Sequence, residues 1–565
     1  MKLIFCLHKF TLTFFLLMGA LSAGAQQSTT PAMTFSEAPH TVQLLDVGGP
    51  VLERFLDIIE KAEHSVDISN YLINYNDYSS LLVFDAIQKK AANNKNCKAR
   101  ILLEDSTSAG VGYRDTEFWA WRKFVRDMKA RGIEFRVFNP RSKNPINGNV
   151  RTHQKFIIAD GHEMVLGGRN LSDDYYGIVP FYNRLDKEIY VKGPIVKVTQ
   201  DRFLELWNGP MVKNLLQYSD AEEIERDRKI QREDAGHLRI SGRSNGSLIL
   251  RNMSRAIEEG GDGLSLRKFS WIRGGGVNIT ILYSDRVIEI LKTTGYDLMN
   301  DEGEPVRLTY SDFIHALNAP KEKNITLMHI REFRARLKAE LKRHSHADLY
   351  PEVIVNKIGI GFDLPGTLRK EVNFIPYFYE TLKEAKSEVV FENQYFIPSP
   401  AGWQTLDVLQ NNGVAIKFLT NSMVSQDENN PGTLTHDRMR DYLKSNSKLF
   451  HPFAFIGQKL QGIPGALWWP ATAANPDCVW QIHGKAVVID QVSSWVGSNN
   501  FDNRSEEFNP ETAVYIPHNA IFAKQLYRSI HNNILNSEDM SVKSGYWQRY
   551  DQKREQRSFT EKILD

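Results

Sequence analysis

One pattern occurs twice in this 565-residue chain and constrains what it can fold into. Thr152-His153-Gln154-Lys155-Phe156-Ile157-Ile158-Ala159-Asp160 is followed, after six residues, by Gly167-Gly168-Arg169-Asn170. Ile482-His483-Gly484-Lys485-Ala486-Val487-Val488-Ile489-Asp490 is followed, after six, by Gly497-Ser498-Asn499-Asn500. Both read H-x-K-x4-D-x6-G-(G/S)-x-N. A lone His two residues before a Lys carries no information, because surface strands offer many such pairs. Two copies with one spacing, in corresponding places of a repeated order of elements, point to a duplicated domain. A solenoid would repeat at a period several times shorter.

The surrounding pattern supports the duplication. In the first half a helix over 50–62 leads to a strand-like run over 65–73, a helix over 79–94 and a β-rich run over 98–104. A helix over 116–131 and a strand over 133–138 follow. The second half repeats the order, with a helix over 376–386, a strand over 388–391, a helix over 405–412 and a strand over 414–420. A helix over 434–445 and a strand near Phe453 complete it. This alternation predicts an α/β fold. With 42% hydrophobic and 24% charged residues, the chain has an ordinary core, which excludes disordered, collagenous and disulfide-dense classes.

The N-terminus carries Lys2 and Lys9, an apolar run over 10–21, and then Ala23-Gly24-Ala25. It reads as a signal peptide over 1–25, too short to span a bilayer comfortably, and implies a periplasmic or secreted protein. Cleavage after Ala25 leaves basic and acidic side chains equal in number, so the bulk charge names no polyanionic partner. Of the three cysteines, Cys6 leaves with the signal. Cys97 and Cys478 could pair in an oxidising compartment, though two buried thiols are the simpler expectation. The domains expected are 40–215 and 351–545, separated by a charged, partly helical insertion over 216–350 and followed by a polar tail over 546–565. Within the insertion, 220–234 is dense in charge and Arg273-Gly274-Gly275-Gly276 reads as a loop. Leu327, Ile330, Phe333, Leu337 and Leu341 fall on one helical face among Arg331, Arg334, Arg336, Lys338, Lys342 and Arg343. Such a helix lies on an anionic membrane or acts as a linker with one packed stripe; the linker is the expectation.

Strand geometry sorts the motif residues. Residues i and i+2 share a face, so His153 accompanies Lys155 and His483 accompanies Lys485, giving each half a base and a cation. Asp160 and Asp490 stand seven residues beyond their histidines, at opposite parity, and read as supporting groups. The chemistry these groups suit is attack on a phosphodiester. Fixed ammonium groups offset the charge that grows on phosphoryl and leaving oxygens without a metal, while two histidines divide nucleophilic and acid/base work. An imidazole nucleophile also needs a carboxylate partner. Asp186 and Glu511 open β-like runs downstream of their motifs, with Glu188 and Glu507 as competitors. Isolated His and Asp residues do not form a metal-ligand cluster, and His344 and His346, in a charged helix end, read as solvated.

At these residues the sequence resembles the phospholipase D superfamily, and its two-motif members in particular. Glu392-Asn393-Gln394-Tyr395-Phe396-Ile397-Pro398, Thr420-Asn421-Ser422, and Arg504-Ser505 with Asn509 and Glu511 are similar to segments of bacterial cardiolipin synthases of the type lacking N-terminal membrane spans. The likeness covers 46–208 and 351–535. It implies two phospholipase D-like α/β/α sandwich domains with pseudo-twofold symmetry and a largely helical insertion between them, with both motifs meeting at one site. It also implies ping-pong chemistry with no metal and no cofactor. By the same resemblance His153 is the nucleophile and His483 the acid/base, with Asp186 and Glu511 orienting them. Asn170 and Asn500 donate to phosphoryl oxygens, and Gly168 and Ser498 line the substrate site. The sequence departs from the synthase pattern over 423–433, which is polar and loop-like.

Three functions follow. The first is a phospholipase D-type enzyme acting on phospholipids at a membrane surface, with water, a small alcohol or phosphatidylglycerol as acceptor, active as a monomer. The second is a secreted nuclease with the same motifs, disfavoured by the neutral balance of charge. The tyrosyl-DNA phosphodiesterase branch lacks the aspartate found here at Asp160 and Asp490. The third is a lipid-binding pseudoenzyme, which loss of a motif His or Lys would have favoured, and all four are present. The apolar segment over 462–470, with Trp468 and Trp469, suits either a membrane interface or packing inside the domain.

Overall fold

The computed structural model describes residues 32–74, 77–104, 125–138, 150–179, 182–214, 266–272, 276–281, 327–343, 350–366, 369–426, 429–446, 448–458, 460, 469–473, 475 and 478–555. The signal segment, the charged stretch over 220–234, most of the helix expected over 116–131, His344, His346 and Trp468 lie outside them. The first half contributes β1 (Met33–Ser36), β2 (His40–Leu45), β3 (Ser65–Asn70), β4 (Lys98–Glu104), β5 (Ile133–Phe138), β6 (Phe156–Ala159), β7 (Glu163–Gly167), β8 (Tyr182–Leu185), β9 (Glu188–Lys192) and β10 (Val212–Asn214). The insertion holds β11 (Leu266–Ile272) and β12 (Gly276–Ile281). The second half contributes β13 (Val353–Val355), β14 (Ile358–Phe362), β15 (Leu364–Pro365), β16 (Lys370–Val372), β17 (Glu388–Glu392), β18 (Ala415–Asn421) and β19 (Phe450–Phe455). It ends with β20 (Val479–Ile482), β21 (Ala486–Ile489), β22 (Ser493–Gly497), β23 (Thr512–Ile516) and β24 (Ser537–Asp539).

Two nine-stranded sheets result. One runs β10-β5-β4-β3-β6-β7-β9-β2-β13, and the other, read from its matching end, runs β24-β19-β18-β17-β21-β22-β23-β14-β1. Strand for strand they are equivalent, each with three parallel strands (β3-β4-β5 and β17-β18-β19) and antiparallel pairings elsewhere. Parallel neighbours need crossovers. The helices Tyr78–Asn93, Pro400–Asn411 and Asn429–Asn446 supply them among the described residues.

Alternation along each strand decides which core it serves. In β6, Phe156 and Ile158 face the core shared by the two halves, whereas Ile157 and Ala159 face the outer helices. Their equivalents in β21 divide in the same way, Ala486 and Val488 inward, Val487 and Ile489 outward. The helices Ile195–Trp207 and Ala520–Ile534 bury Phe203, Leu206, Phe522, Leu526 and Ile530 in the shared core, so each sheet lies between two helical layers.

The outer edges are exchanged. β1, which precedes the first half, pairs with β14 of the second sheet, while β13 pairs with β2 of the first. The stretch expected to begin the second domain at 351 therefore opens on β13, a strand of the first sheet, before β14 enters the second. Each exchange covers backbone groups that an edge would leave unpaired. A second link is the two-stranded parallel ladder of β8 with β20.

Other expectations meet a different outcome. The insertion was expected to be largely helical, and its described residues include the antiparallel hairpin β11–β12 flanking the glycine run, besides the helix Leu327–Arg343. That helix buries Ile330, Phe333 and Leu337 against the helices Gly48–Lys61 and Tyr78–Asn93, which withdraws its apolar stripe from any membrane and makes it the packed linker. Trp469 joins this packing, its ring 4.9 Å from that of Phe333. The segment expected to be loop-like over 423–433 instead enters a helix at Asn429, and the first part of the expected polar tail is a helix, Tyr546–Glu555, with Tyr546 and Tyr550 buried. Cys97 and Cys478 are buried free thiols, and burial pushes the Cys478 thiol up to about 12 although an Asn183 hydrogen bond opposes it. Among the described residues no helix is long and apolar enough to cross a membrane.

Candidate active site

The motif histidines lie on the extended segments that enter β6 and β21, and each is held by the opposite half. The last register pair of the β8–β20 ladder is Leu185 with Ile482, so Asp186 and His483 emerge side by side. His483 N donates to Leu185 O at 2.7 Å, and His153 N donates to Pro510 O at 2.9 Å. These acceptors immediately precede the two candidate carboxylates. The Nδ1 of His483 is 2.5 Å from Asp186 Oδ2, and the Nδ1 of His153 is 3.0 Å from both Glu511 oxygens. Each histidine thus takes its carboxylate from the other half, a crossing that downstream position in the sequence does not reveal.

Both rings are nearly inaccessible, His153 8% and His483 6% exposed, and this decides their charge. Burial lowers His153 to about 4 despite Glu511, and drives His483 well below the usual imidazole value, with Lys485, Arg184 and Lys155 adding to the effect. Both environments therefore favour the neutral imidazole. Burial also lowers Lys155 to about 7, Glu511 opposing and Lys485 reinforcing. Lys155 Nζ donates to His153 O at 2.7 Å, and Lys485 Nζ to His483 O, so both cations turn back onto their own motif. Burial would raise Glu511, but His153, Lys155 and Lys370 prevail and keep it ionised. Asp186 is raised by burial, against Lys485 and Arg169.

The Gly/Ser difference between the motifs matches the carboxylate beside each. A Cβ at Gly168 would collide with the Asp186 carboxylate, whereas Ser498 Oγ donates to Glu511 Oε2 at 2.5 Å and accepts from Thr512 N at 3.0 Å. Asp160 and Asp490 stand apart from the reacting groups, both in left-handed conformations with φ 54 and 51. Asp160 accepts the N–H groups of Glu63, His64 and Ser65, each at 2.7 Å. Asp490 accepts those of Lys386, Ser387 and Glu388 at 2.8 to 2.9 Å. Each thereby ties its motif strand to the start of the neighbouring strand. The competitors are occupied elsewhere: Glu188 forms a buried ion pair with Arg169, and Glu507 pairs with Arg369 at 3.3 Å at the surface.

Asn170 Nδ2 donates to the Tyr175 hydroxyl at 2.7 Å, leaving a second amide hydrogen for another acceptor. Asn500, half-buried, occupies the equivalent position in the second motif. Two residues at corresponding strand ends were given no role by the sequence, although Asn421 lies in the synthase-like segment Thr420-Asn421-Ser422. Glu104 Oε2 accepts from Thr152 N at 2.9 Å, and Asn421 exchanges two bonds with Ile482, Nδ2 to O at 2.8 Å and N to Oδ1 at 2.6 Å. Each fixes the residue just before a motif histidine. A polar residue closing an otherwise apolar strand was the available signal. Tyr71 and Tyr175 also approach edge-on to His153 and His483, with ring centroids 4.9 and 5.0 Å apart. Among the described residues no group of three or more His, Cys, Asp or Glu side chains is placed to hold a metal ion.

Two nine-stranded sheets in pseudo-twofold relation, with a His-Lys pair from each converging at their junction, define a two-motif phospholipase D-like protein. The chain belongs to the family described as cardiolipin synthase, PLD-like domain, whose model matches residues 55–207 and 378–533, more than half of its length. It is 30% identical over 200 residues to cardiolipin synthase C of Escherichia coli (strain K12), covering 32% of this chain and 39% of that one. It is 28% identical over 182 residues to the major cardiolipin synthase ClsA of Bacillus subtilis (strain 168), covering 32% and 35%. The matched region thus spans little more than a third of these relatives. The crystal structure of phosphatidylserine synthase from Haemophilus influenzae Rd KW20 superposes with a TM-score of 0.52 at 10% identity, covering 93% of this chain and 94% of that one, a likeness of fold.

Proposed function

We propose that the protein is a phospholipase D-type phosphatidyltransferase or phosphodiesterase acting on phospholipids through a phosphohistidine. The observation that carries this reading is the crossed arrangement of two neutral imidazoles, each with its Nδ1 on a buried carboxylate from the other half and a lysine beside it. His153 Nε2 attacks phosphorus, and the bond to the leaving alcohol breaks as that oxygen takes a proton from His483. The phosphodiester anion brings the charge that favours the protonated imidazole. His483 then deprotonates the acceptor, whose oxygen displaces His153 from phosphorus. The lysines and an amide hydrogen of Asn170 and of Asn500 face the charge that develops on the phosphoryl oxygens.

Nucleophile and acid are assigned by the family resemblance. The synthase names among the relatives support transfer to a lipid or small alcohol, with hydrolysis when water is the acceptor. The basic and then apolar N-terminus supports export to the periplasm or beyond, where a membrane surface presents the substrate. Both motifs in one chain support action as a monomer.

The test is purified protein and His153→Ala, incubated in EDTA with phosphatidylglycerol, phosphatidylethanolamine or phosphatidylcholine, with and without glycerol, and read by mass spectrometry. A nuclease assay runs in parallel. Phosphatidic acid or an exchanged lipid, absent in the variant, is expected. Nucleic-acid cleavage without a lipid product, also lost in the variant, would overturn the reading.

A further inference from the structure

Two imidazoles in equivalent positions must do different work, and the surroundings of their Nε2 atoms differ. The Tyr175 hydroxyl stands 3.5 Å from His483 Nε2, a long contact of the kind that shortens in a loaded site. Among the described residues no hydrogen bond reaches His153 Nε2. Tyr71 meets the His153 ring edge-on, but its hydroxyl is engaged by Arg151 Nη1 at 3.1 Å. The tyrosine is also unique to one half. Tyr175 lies five residues beyond Asn170, and the residue five beyond Asn500 is Ser505.

Tyr175 is held from every side. It closes the 3-10 turn Asp173–Tyr175 and is 4% exposed. Its N–H donates to Ser172 O at 2.9 Å, and its carbonyl accepts from Arg169 Nε at 2.7 Å. The Arg184 guanidinium lies 4.6 Å from the centre of its ring. Its hydroxyl accepts from Asn170 Nδ2 at 2.7 Å, which engages a lone pair and turns the O–H toward His483. Asp186 Oδ2 stands 2.5 Å from His483 Nδ1 and Lys485 Nζ 3.0 Å from the same atom; the tautomer that gives Nδ1–H to the carboxylate leaves Nε2 of the neutral ring as the acceptor for that O–H.

We propose that Tyr175 is the positioning residue that makes His483 the acid/base of the pair. Its hydroxyl fixes the ring with Nε2 as the proton-accepting atom, while the Nε2 of His153, which no hydrogen bond reaches among the described residues, remains the nucleophile. This rests on the phosphoryl-transfer reading and deepens it. Tyr175 gains and loses no proton over the cycle. The proton leaves His483 Nε2 for the departing oxygen and returns there from the acceptor, and the phosphorus–nitrogen bond to His153 forms and breaks.

The test is Tyr175→Phe, which keeps the ring and removes the hydroxyl, beside Tyr71→Phe. For lipid turnover, kcat falls about tenfold to a hundredfold with KM within about twofold, since orientation is part of what acid/base catalysis contributes. The limb of the pH–rate profile belonging to the acid/base moves to higher pH, because a bond favouring neutral imidazole is lost. Tyr71→Phe leaves that limb in place. Asn170→Ala, which frees the hydroxyl to reorient, moves it in the same direction as Tyr175→Phe. Histidine-selective 15N NMR of the unliganded protein supplies a readout that needs no turnover. In Tyr175→Phe the His483 titration shifts and the His153 titration does not, so this arm decides the inference even where no lipid product forms. An unchanged His483 titration, or an equal shift at both histidines, overturns it.

Discussion

The residues at 168 and 498 answer a difference of a single methylene between the carboxylates beside them, Asp186 and Glu511. Glycine is required at 168 because the shorter aspartate brings its carboxylate against the backbone, whereas Ser498 has room to hydrogen-bond the longer Glu511. Making the motifs alike is therefore harmful in one direction. Gly168→Ala is expected to displace Asp186, lower stability by about 1–3 kcal/mol as overpacking does, and cost at least about a hundredfold in turnover through the lost partner of His483. Thermal unfolding beside an activity assay checks both, and a fully active variant would refute the crowding argument. The neutral histidines carry a second consequence. His153 titrates near 4 in the native chain against an ordinary 6.5, so between these values the unfolded chain binds a proton that the native one does not. By linkage, native stability falls as pH falls through that window, by about 2 kcal/mol from pH ~7 to ~5 for this one group, with His483 acting in the same direction. Urea unfolding across the window measures the slope. The double variant His153→Asn, His483→Asn should lose less, and an equal loss would place the proton elsewhere.

Among the elements, those with local signatures were legible. The runs over 65–70, 98–104, 133–138, 388–392 and 415–421 alternate or bury both faces, and the motif strands carry four apolar residues each, so hydrophobic pattern alone located them. The exchanged edges were not legible. β1 and β13 have only four and three residues, and nothing within Val353–Val355 announces that its partner is Val42 rather than its neighbour in sequence. Pairing between distant segments is decided by the assembled sheet. The exchange can be tested at Phe35, which lies 5.6 Å from the Tyr377 ring and 6.5 Å from that of Tyr515, against the space left by Gly359. Phe35→Ala removes about 1–3 kcal/mol of half-buried aromatic contact. It should also speed hydrogen exchange across Ile358–Phe362, the strand that β1 covers, while leaving β2 protected. Unchanged protection of Ile358–Phe362 would show that β1 adds nothing to the second sheet.

At the scale of the whole molecule, the motifs were readable because each chemical group has its own residue type, whereas Asp186 and Glu511 were separated from Glu188 and Glu507 only by the family resemblance. The crossing was not readable, because it depends on the β8–β20 ladder that sets Asp186 beside His483, and four-residue strands at the junction have no pattern that distinguishes an inter-half pairing. The crossing turns the duplication into an obligation: neither half contains an imidazole with its own carboxylate. It also makes a statement about stoichiometry. Asp186 and Glu511 reach His483 and His153 within a single chain, and we propose that one chain completes one site. Mixing His153→Ala with His483→Ala, each intact in the other motif, should therefore give no recovery of activity at any ratio, even after joint unfolding and refolding. If the site were shared between two copies, the mixture would rebuild native sites in a predictable fraction of dimers. Recovered turnover in proportion to mixing would thus refute assembly within one chain. Its absence, with both variants folded by circular dichroism, would leave the internal pseudo-twofold junction as the place where the two motifs meet.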